Sequence, residues 1–418
     1  MPEAVIVATA RSPIGRAFKG SLAEIRPDDL TATIVQAALD KVPELDPADI
    51  DDLMLGCGLP GGEQGFNMAR VVAVLLGHDE LPGTTVTRYC SSSLQTTRMA
   101  AHAIKAGEGD VFVSAGVEMV SRYVKGSSDS LPDTRNPVFA EAESRSAERT
   151  GAGSETWHDP RADGRVPDIY LAMGQTAENL AQLRGITREM QDEFGVRSQN
   201  LAEKAIADGF WEREITPVTI PGGPDRAVSA ENADRAVVDR DDGPRPGTTL
   251  NKVAELKPVF RPDGTVNAGN CCPLNDGSAA VVVMSDIRAR ELGITPLARI
   301  VATGVTALSP EIMGLGPVGA SRQALRRAGM TIGDIDLVEI NEAFAAQVIP
   351  SYQDLGIDIG RLNVNGGSIA VGHPFGMTGA RITTTLLNSL AFHDKQLGLE
   401  TMCVGGGQGM AMIFERLS

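Results

Sequence analysis

The sequence predicts an α/β protein built from two duplicated halves, each a sheet of mostly parallel strands covered by helices, with a further segment inserted between them. Residues 38–56 and 324–341 share one order: a helix end, a short linker, Asp-Ile-Asp and an apolar strand. Residues 110–120 and 401–413 are each a strand that runs into a turn of small residues. Residues 121–250 match neither half. A repeated order of strands and helices indicates a duplicated α/β unit.

The boundaries follow from this repeat. We expect a first half, an inserted lid-like loop domain and a second half, at 1–120 (completed by 251–287), 121–250 and 288–418. The inserted segment begins with a polar stretch rich in Ser, Asp, Arg and Pro. It continues with two segments that have apolar residues at helical spacing, 170–185 and 187–211.

Composition excludes several classes of protein. The 418 residues are 42% hydrophobic and 22% charged, as in an ordinary globular protein. The net charge of −16 argues against nucleic-acid binding, which requires a basic surface. No apolar run reaches the ~20 residues of a membrane span. The N-terminus reads as a strand and a loop rather than a signal peptide, so we expect a cytoplasmic protein.

The five cysteines do not form a pattern typical of disulfides or zinc. Their number is odd, they are widely spaced and no Cys-x-x-Cys pair occurs, so we expect neither a disulfide framework nor a metal site. The cysteines are Cys57, Cys90, Cys271, Cys272 and Cys403.

Cys90 is the first candidate for chemistry. It follows a short β-branched stretch, and Ser91–Ser93 are typical of a helix N-terminus, with the helix ending near Gly107. The positive end of a helix dipole favours the thiolate, which is the reactive form. The alternative for a lone cysteine is a small buried core residue.

His373 lies among five glycines in the sequence NGGSIAVGHPFGMTGAR, residues 365–381. Tight turns of this kind predict a strand-to-loop turn that presents the imidazole from rigid backbone. With few histidines in the chain, this position favours a functional role over a core histidine in a glycine-rich turn.

Two further segments end apolar strands. Cys403 precedes three glycines whose N–H groups can approach a ligand or supply oxyanion donors, whereas the spacing of a dinucleotide-binding loop is missing. Asn341 and Glu342 lie where another strand becomes a helix, and Asn341 taken alone fits an N-cap. All four segments fall at equivalent turns of the two halves, where ligands bind in α/β sheets.

These motifs resemble those of the thiolases, the acyl-CoA acetyltransferases and 3-ketoacyl-CoA thiolases. Four blocks carry the resemblance: the cysteine block at 90, NEAFAAQ at 341–347, GGSIAVGHPFGMTGAR at 366–381 and CVGGGQGMA at 403–411. They occur in this order along essentially the whole chain. The resemblance implies a five-layered αβαβα fold, a dimer or tetramer, and coenzyme A and acyl-CoA as substrates without a metal or redox cofactor.

The resemblance also implies roles for five residues. Cys90 matches the nucleophile that becomes acylated, and His373 matches the base that activates it. Cys403 matches the second cysteine, which moves the α-carbon proton or protonates the departing enolate. Asn341 matches the asparagine that holds an oxyanion-hole water, with His373 as the other donor. The N–H groups of Cys90 and Gly405 match a second oxyanion hole.

Several positions implied for the substrate depart from the family pattern. Ser93 stands where a glycine is usual, Cys272 and Pro273 where a serine and a small residue are common, and Ala172 where a histidine often precedes Met173. Phe375 is the form met in longer-chain degradative members, and Phe344 lies inside the NEAFAAQ block. These departures concern the acyl pocket and leave the acyl chain undetermined.

Coenzyme A brings several phosphate charges, so its site requires local basic groups. Arg245, in DDGPRPGTTL, matches the arginine that thiolase loop domains place beside the nucleotide end of CoA, and Lys252 is a second candidate. The alternative is that Arg245 pairs with Asp241 or Asp242 on a solvated loop.

Three competing functions are separable by sequence. Ketosynthases share the implied fold and the nucleophile, but generally carry a second histidine where this chain has Cys403. A catalytically silent acyl-CoA or lipid carrier would not keep all four reactive side chains. An NAD-dependent enzyme would need a glycine fingerprint that is missing here. Thiolysis is the downhill direction, so we expect a degradative role.

Overall fold

The structure is a computed structural model that describes residues 2–125, 134–151, 153, 155–220 and 237–418. Its strands are β1 (Ala4–Arg11), β2 (Gly15–Arg16), β3 (Asp52–Cys57), β4 (Gly83–Val86), β5 (Val111–Met119), β6 (Val218–Thr219), β7 (Val237–Val238), β8 (Asn275–Ser285), β9 (Ala298–Ala307), β10 (Leu337–Ile340), β11 (Leu397–Val404) and β12 (Gln408–Arg416).

The α-helices of the same residues are α1 (Pro27–Leu39), α2 (Met68–Leu75), α3 (Ser92–Ala106), α4 (Ala140–Glu148), α5 (Met173–Arg184), α6 (Arg188–Ala207), α7 (Leu250–Ala254), α8 (Asp286–Leu292), α9 (Gly316–Ala328), α10 (Ala345–Leu355), α11 (Ser368–Val371) and α12 (Thr378–Phe392). The helix after Cys90 ends with Gly107 in the left-handed conformation, as the sequence predicts.

The main sheet has the order β10-β11-β12-β9-β1-β8-β5-β3-β4, with β2 beside β8. Pairs β3–β4, β3–β5 and β10–β11 are parallel, and β1–β8, β5–β8, β1–β9, β9–β12 and β11–β12 are antiparallel. The expectation of mostly parallel strands is therefore wrong. The three-glycine turn between β11 and β12 is one reason, because only a crossover can join neighbouring parallel strands.

The pairing pattern confirms the duplication. In the first half the order is β1-β8-β5-β3-β4, and in the second it is β9-β12-β11-β10, with the same sequence of antiparallel, antiparallel and parallel pairs. Leu362 forms a parallel bridge with Val338 of β10, at the place where β4 pairs with β3 in the first half. Helices α1, α2 and α3 thus correspond to α9, α10 and α12.

The elements form five layers, α-β-α-β-α, as the resemblance implies. Helices α1 and α2 cover the first-half strands, α9 and α10 cover the second-half strands, and α3 and α12 lie between them. Side chains alternate along β8: Val282 and Met284 belong to the outer core with α1 and α2, whereas Val281 and Val283 belong to the central core with α3 and α12. This alternation is the period of two that a strand covered on both faces requires.

The central helices meet at their N-terminal turns. A Cβ on Gly379 of α12 would lie 2.2 Å from the backbone nitrogen of Leu94 in α3, so only glycine allows this approach. The Ser93 hydroxyl accepts a hydrogen bond from the Ala380 N–H at 2.9 Å. Both helix dipoles therefore direct their positive ends toward the junction of the two halves.

The predicted helical pair of the inserted segment is confirmed as α5 and α6, which pack against α10 of the second half. The end of this segment is tied to β1 through Arg11, whose guanidinium binds Glu214 at 2.6 Å and Asp241 at 2.7 Å with all three side chains buried. Across the described ranges, none of the helices is long and apolar enough to cross a membrane.

Candidate active site

Cys90 lies in a single tight turn between β4 and α3. Tyr89, just before it, has a φ of 43°, a left-handed conformation that non-glycine residues rarely adopt. The Ser92 hydroxyl stabilises this turn, since it accepts the Arg88 N–H at 2.9 Å and donates to the Tyr89 carbonyl at 2.6 Å. The turn directs the Cys90 thiol toward the Gly405 N–H, which donates a hydrogen bond to it.

The helix N-terminus does not make Cys90 a thiolate. Burial raises its pKa to about 12, and the hydrogen bond from Gly405 only partly opposes this effect. The backbone N–H groups lower the pKa of Cys90 in the predicted direction, but burial has the larger effect, so the thiol is neutral in the resting site.

His373 lies between α11 and α12. The prediction of a strand-to-loop turn is wrong, because the four residues before Gly372 form one turn of helix. Gly372 has a φ of 116°, which reverses the chain, and the His373 N–H then donates to the Asn275 side chain at 2.9 Å.

The hydrogen bonds around His373 determine which ring nitrogen carries the proton. The Thr378 hydroxyl donates to the Pro374 carbonyl at 2.7 Å, so it accepts from His373 Nδ1 at 2.6 Å. The Asn341 side-chain oxygen accepts from the Ser368 hydroxyl at 2.6 Å, so the Asn341 amide nitrogen faces His373 Nε2 at 3.2 Å. Nδ1 is thus protonated, and Nε2 keeps a lone pair that can accept a proton.

A buried arginine continues this chain of hydrogen bonds. Arg381, which is fully buried, donates to the Ser368 hydroxyl at 2.6 Å. Burial, with a smaller effect from the Arg381 charge, lowers the pKa of His373 to about 3. His373 is therefore neutral at physiological pH. The alternative role of Asn341 as an N-cap is wrong, because α10 begins at Ala345 and the Asn341 side chain is committed to His373.

Cys403 lies at the end of β11 and is completely buried. Burial raises the pKa of its thiol well above the ordinary value, and the proximity of Cys90 adds to this rise. The glycine turn that follows brings Gly405 against the Tyr89 ring, where a Cβ would lie 3.2 Å from the ring carbons. The Cys90 and Cys403 thiols thus lie close together, and the Gly405 N–H donates to Cys90.

Family models match both parts of the chain. The thiolase N-terminal domain matches residues 4–287, and the thiolase C-terminal domain matches residues 294–416. This chain belongs to the thiolase family. Its relatives include the 3-ketoacyl-CoA thiolase of Bacillus subtilis (strain 168), 41% identical over 99% of this chain and 100% of the relative, and that of Aeromonas hydrophila, 42% identical over 100% of both.

Solved thiolase structures agree with the fold. The acetyl-CoA acetyltransferase of Bacillus anthracis superposes with a TM-score of 0.84 and 37% identity, covering 100% of this chain and 99% of the other. Human mitochondrial 3-ketoacyl-CoA thiolase gives a TM-score of 0.83 and 33% identity with the same coverage.

An apolar wall adjoins the cysteines of this thiolase. Met173, Phe260 and Phe344 belong to one cluster, and the rings of Phe260 and Phe344 lie edge to face with centroids 6.1 Å apart. Cys272 joins this wall because its N–H donates to the Ala343 carbonyl at 3.1 Å. The charged forms of Cys90 and Cys403 contribute to raising the pKa of Cys272, which places all three thiols close together.

Phe375 forms the other side of the site, with its ring edge to face on His373 at 5.2 Å. Ser93, in contrast, does not reach an acyl pocket, because its fully buried hydroxyl points at α12. The Ser93 side chain fits because residue 116 is a glycine: a Cβ on Gly116 would lie 2.5 Å from the Ser93 Cβ. The Ser93 side chain thus has a packing role between α3 and α12.

Glu118 is a buried residue of the site that the sequence analysis did not single out. Its carboxylate accepts hydrogen bonds from the Gly58 N–H at 2.7 Å and the Gly376 N–H at 2.9 Å. The side chains of Gln64 and Tyr123 donate at 2.9 and 2.8 Å. Glu118 thereby fixes the loop after His373. A single carboxylate inside the apolar strand VFVSAGVEM was the available signal.

Arg245 and Lys252 are exposed. Asp241 binds Arg11, and Asp242 accepts the N–H groups of Arg16 and Ser21. The alternative that Arg245 pairs with either aspartate is therefore wrong. Lys252 donates to the Gly247 carbonyl at 3.1 Å. Within the described residues, no group of three or more His, Cys, Asp or Glu is placed to hold a metal ion.

Proposed function

We propose that this chain catalyses the CoA-dependent cleavage of a 3-ketoacyl-CoA to acyl-CoA and acetyl-CoA, and the reverse condensation, through an acyl group on Cys90. Relatives named 3-ketoacyl-CoA thiolase that match over the full length support the reaction class. The observation that supports the mechanism is a neutral imidazole whose Nε2 is unprotonated and faces the Asn341 amide, in a protein whose Cys90 thiol is partly buried and whose Cys403 thiol is buried.

In the first step, His373 Nε2 takes the proton of Cys90 and the sulfur attacks the 3-keto carbon. The bond between C2 and C3 then breaks. The acyl group stays on Cys90 as a thioester, and the electron pair leaves as the enolate of acetyl-CoA. Cys403 donates a proton to C2 of this enolate, which releases acetyl-CoA and leaves a thiolate on Cys403.

In the second step, Cys403 takes the proton of the incoming CoA thiol. The CoA sulfur attacks the thioester, the bond to Cys90 breaks, and His373 returns its proton to Cys90. Acyl-CoA leaves and both thiols are restored. Both cysteines are neutral before the reaction. Each therefore ionises only together with the bond changes at its sulfur or at C2 of the substrate.

Negative charge develops twice, on the tetrahedral oxygen and on the enolate oxygen. The N–H groups of Cys90 and Gly405 supply one set of donors, and Asn341 with protonated His373 supplies the other. The N-termini of α3 and α12 meet beside them and favour negative charge. Buried, preorganised donors of this kind are worth roughly 3 kcal/mol each in a transition state.

We infer the substrate contacts from the surrounding side chains. Met173, Phe344, Phe375 and Cys272 flank the reactive thiols and fit an acyl chain and pantetheine. Arg245 and Lys252 fit the phosphates of CoA because the Arg245 guanidinium is exposed and neither neighbouring aspartate engages it.

We propose the same organisation for the whole protein: halves at 1–120 with 251–287 and at 288–418, and a loop domain at 121–250 above the site. We also propose a cytoplasmic homodimer or homotetramer that needs no bound cofactor and acts in fatty-acid or related lipid degradation.

The experiment that tests the nucleophile is mass spectrometry after mixing with acetyl-CoA. We expect one acyl group on the peptide that contains Cys90, and a fall in thiolysis of about 10³-fold or more in C90S. C271S is the matched control and should stay acylated and active. Near-normal thiolysis by C90S would exclude the mechanism.

The role of Cys403 is tested by separating the half-reactions. C403A should still take up an acyl group from acyl-CoA, because this transfer requires only Cys90 and His373. It should lose deuterium exchange at the acetyl-CoA methyl group. An equal loss in both assays would show that the two thiols do not divide the work in this way.

A further inference from the structure

A basic pocket lies on the surface between α3, β9 and α9, with a volume of about 270 Å³. Its basic lining residues are Arg98, His102, Lys105 and Arg327. The rest of the lining is Ala101 and the β9 segment 300–303, so no carboxylate lines it. Four basic side chains around one cavity are notable in a chain whose net charge is −16.

The charges in this basic pocket are largely uncompensated. Within the described residues, neither Arg98 nor Arg327 has an acidic side chain within 4.0 Å, and the ion pair of Lys105 with Glu3 is long at 3.9 Å. The Nε of Arg98 is buried and has no hydrogen-bond partner there. Like charges held together without a partner raise the free energy of the folded protein, so an anion that joins them would be stabilised.

The backbone places these groups with a fixed spacing. Arg98, His102 and Lys105 follow at i, i+4 and i+7 on α3, so they share one face of the helix. Arg327 is held from the opposite side by a hydrogen bond to the Thr303 carbonyl at 2.8 Å. The site therefore has two preformed walls on different elements.

The floor of the basic pocket is an unpaired strand edge. β9 pairs with β12 along its length, but with β1 only at Ala298 and Arg299. The following residues, 300–303, line the pocket, and the peptide groups on that edge have no strand partner among the described residues. Backbone N–H groups beside clustered basic side chains are typical of phosphate sites.

We propose that this basic pocket is a binding site for a phosphate dianion, either free or as a phosphate ester, separate from the catalytic centre. Cys90 precedes α3, and Arg98 lies about 9 Å along the helix axis from the first residue of α3, Ser92. None of the residues that line the pocket is a cysteine. A ligand in the pocket therefore does not contact the reacting thiols. The site is independent of the activity proposed above.

The histidine gives the site a pH signature. Burial and the charges of Arg98, Lys105 and Arg327 lower the pKa of His102. A bound dianion would reverse the charge effect and favour the imidazolium. Binding is thus coupled to proton uptake, and affinity should rise as the pH falls from 8 to 6.

Titration calorimetry with sulfate tests the proposal, because sulfate keeps its charge of −2 over this pH range. We expect wild-type protein to bind sulfate with a Kd below about 10 mM at low ionic strength, several-fold tighter at pH 6 than at pH 8. The R98Q/R327Q variant should bind at least 20-fold more weakly, if each arginine contributes about fivefold. R322Q/R326Q, which alters two exposed arginines of the same helix α9, is the matched control.

Two further measurements separate loss of the binding site from loss of stability, and free phosphate from a phosphate ester. In sulfate-free, low-salt buffer, R98Q/R327Q should melt at the same temperature as wild type or higher, because the variant removes repulsion between the basic side chains. Added sulfate should raise the melting temperature of wild type alone. The affinities of inorganic phosphate and 3′,5′-ADP are then compared between wild type and R98Q/R327Q. The anion whose affinity falls in the variant is the ligand of this pocket. Equal sulfate affinity in wild type and variant, or no binding below 10 mM, would overturn the proposal.

Discussion

The orientation of the hydrogen bond at His373, the proposed base, depends on a residue that does not contact it. Arg381 donates to Ser368, Ser368 donates to Asn341, and the Asn341 amide nitrogen faces His373 Nε2. In this series of hydrogen bonds, each group determines which atom of the next group donates and which accepts. The amide of Asn341 would otherwise be free to present its oxygen to the imidazole, and an oxygen there could only accept a hydrogen bond.

Ser368→Ala removes the hydroxyl that orients Asn341. We expect kcat to fall about tenfold, the value of roughly one hydrogen bond, with little change in KM for CoA. Because we propose that Asn341 stabilises the enolate, deuterium exchange at the acetyl-CoA methyl group should fall more than acylation of Cys90. Ser368→Thr keeps the hydroxyl and should restore most of the rate.

Ser351→Ala is the matched control for this change. Its hydroxyl is equally buried but donates within its own helix to the Gln347 carbonyl at 2.7 Å, away from the site. If deuterium exchange fell as much in Ser351→Ala as in Ser368→Ala, the effect of Ser368→Ala would come from a general loss of stability and not from the orientation of Asn341.

At the scale of elements, the contact between α3 and α12 connects the segments that carry Cys90 and His373, the proposed nucleophile and base. It depends on glycine at 116 and 379 for close approach and on one hydrogen bond from Ala380 to Ser93. We expect Ser93→Gly to lower the free energy of unfolding by about 1–2 kcal/mol, because it removes that bond and adds backbone freedom to a helix. Urea denaturation measures this change.

Activity should separate stability from chemistry in Ser93→Gly. We expect thiolysis within about twofold of wild type, since the hydroxyl does not face substrate. Ser144→Gly, on the exposed helix α4, should cost only about 0.5 kcal/mol by helix propensity. A change in chain-length preference in Ser93→Gly would instead show that this serine shapes the acyl pocket.

The segment around Arg245 carries a second prediction at this scale. Arg245→Ala should raise KM for CoA about five- to tenfold, the value of one exposed ion pair of roughly 1 kcal/mol, and leave kcat nearly unchanged. A pantetheine substrate lacks the nucleotide and should abolish the difference, and Arg326→Ala should have no effect. Equal impairment with pantetheine would make Arg245 a structural residue.

The sequence allowed much of this to be predicted, for reasons that differ between elements. The residues around Cys90 and the two helices α5 and α6 follow local rules of capping and periodicity, so their structure was predicted. Strand direction was not predicted, because β8 pairs with β1 and β5 from distant parts of the chain and because the glycine turn between β11 and β12 was not interpreted as a hairpin. The state of Cys90 was also missed, since burial is a property of the fold and outweighs a local dipole.

For the same reason, the sequence did not predict which side chains contact the buried residues outside the motifs. Glu118 and Arg381 are charged residues in apolar surroundings, which is a signal, but the sequence does not say what lies opposite them. The alternative that Arg245 forms an ion pair with Asp241 is wrong because Arg11, over two hundred residues away, binds Asp241.

At the scale of the whole molecule, several carboxyl groups are buried between the sheets. Glu339 of β10 lies directly opposite Glu400 of β11, and both are buried facing Arg381 of α12. Burial raises the pKa of Glu339 from 4.5 to about 8, although Arg381 opposes the rise. This carboxyl is protonated in the folded protein at neutral pH and ionised in the unfolded chain.

The folded state therefore binds one more proton than the unfolded state between pH 4.5 and 8. The stabilisation is complete below the unfolded pKa and is lost as the pH rises through the folded pKa. We expect the unfolding free energy of wild type to fall by about 2 kcal/mol more than that of Glu339→Gln between pH 6 and pH 8.5. Urea denaturation at several pH values measures it, with the exposed Glu44→Gln as control. Parallel curves for Glu339→Gln and wild type would contradict the assignment.

The pairing of α3 with α12 has a consequence for ancestry. Cys90 precedes α3 and His373 precedes α12, so the proposed nucleophile and the proposed base occupy matching places in the two halves. A homodimer of a single half would put the same side chain at both places, facing itself across the dyad. Such a precursor can present two thiols or two imidazoles, never one of each. Fusion into one chain allows the two places to diverge, and an asymmetric reaction becomes available to a symmetric scaffold.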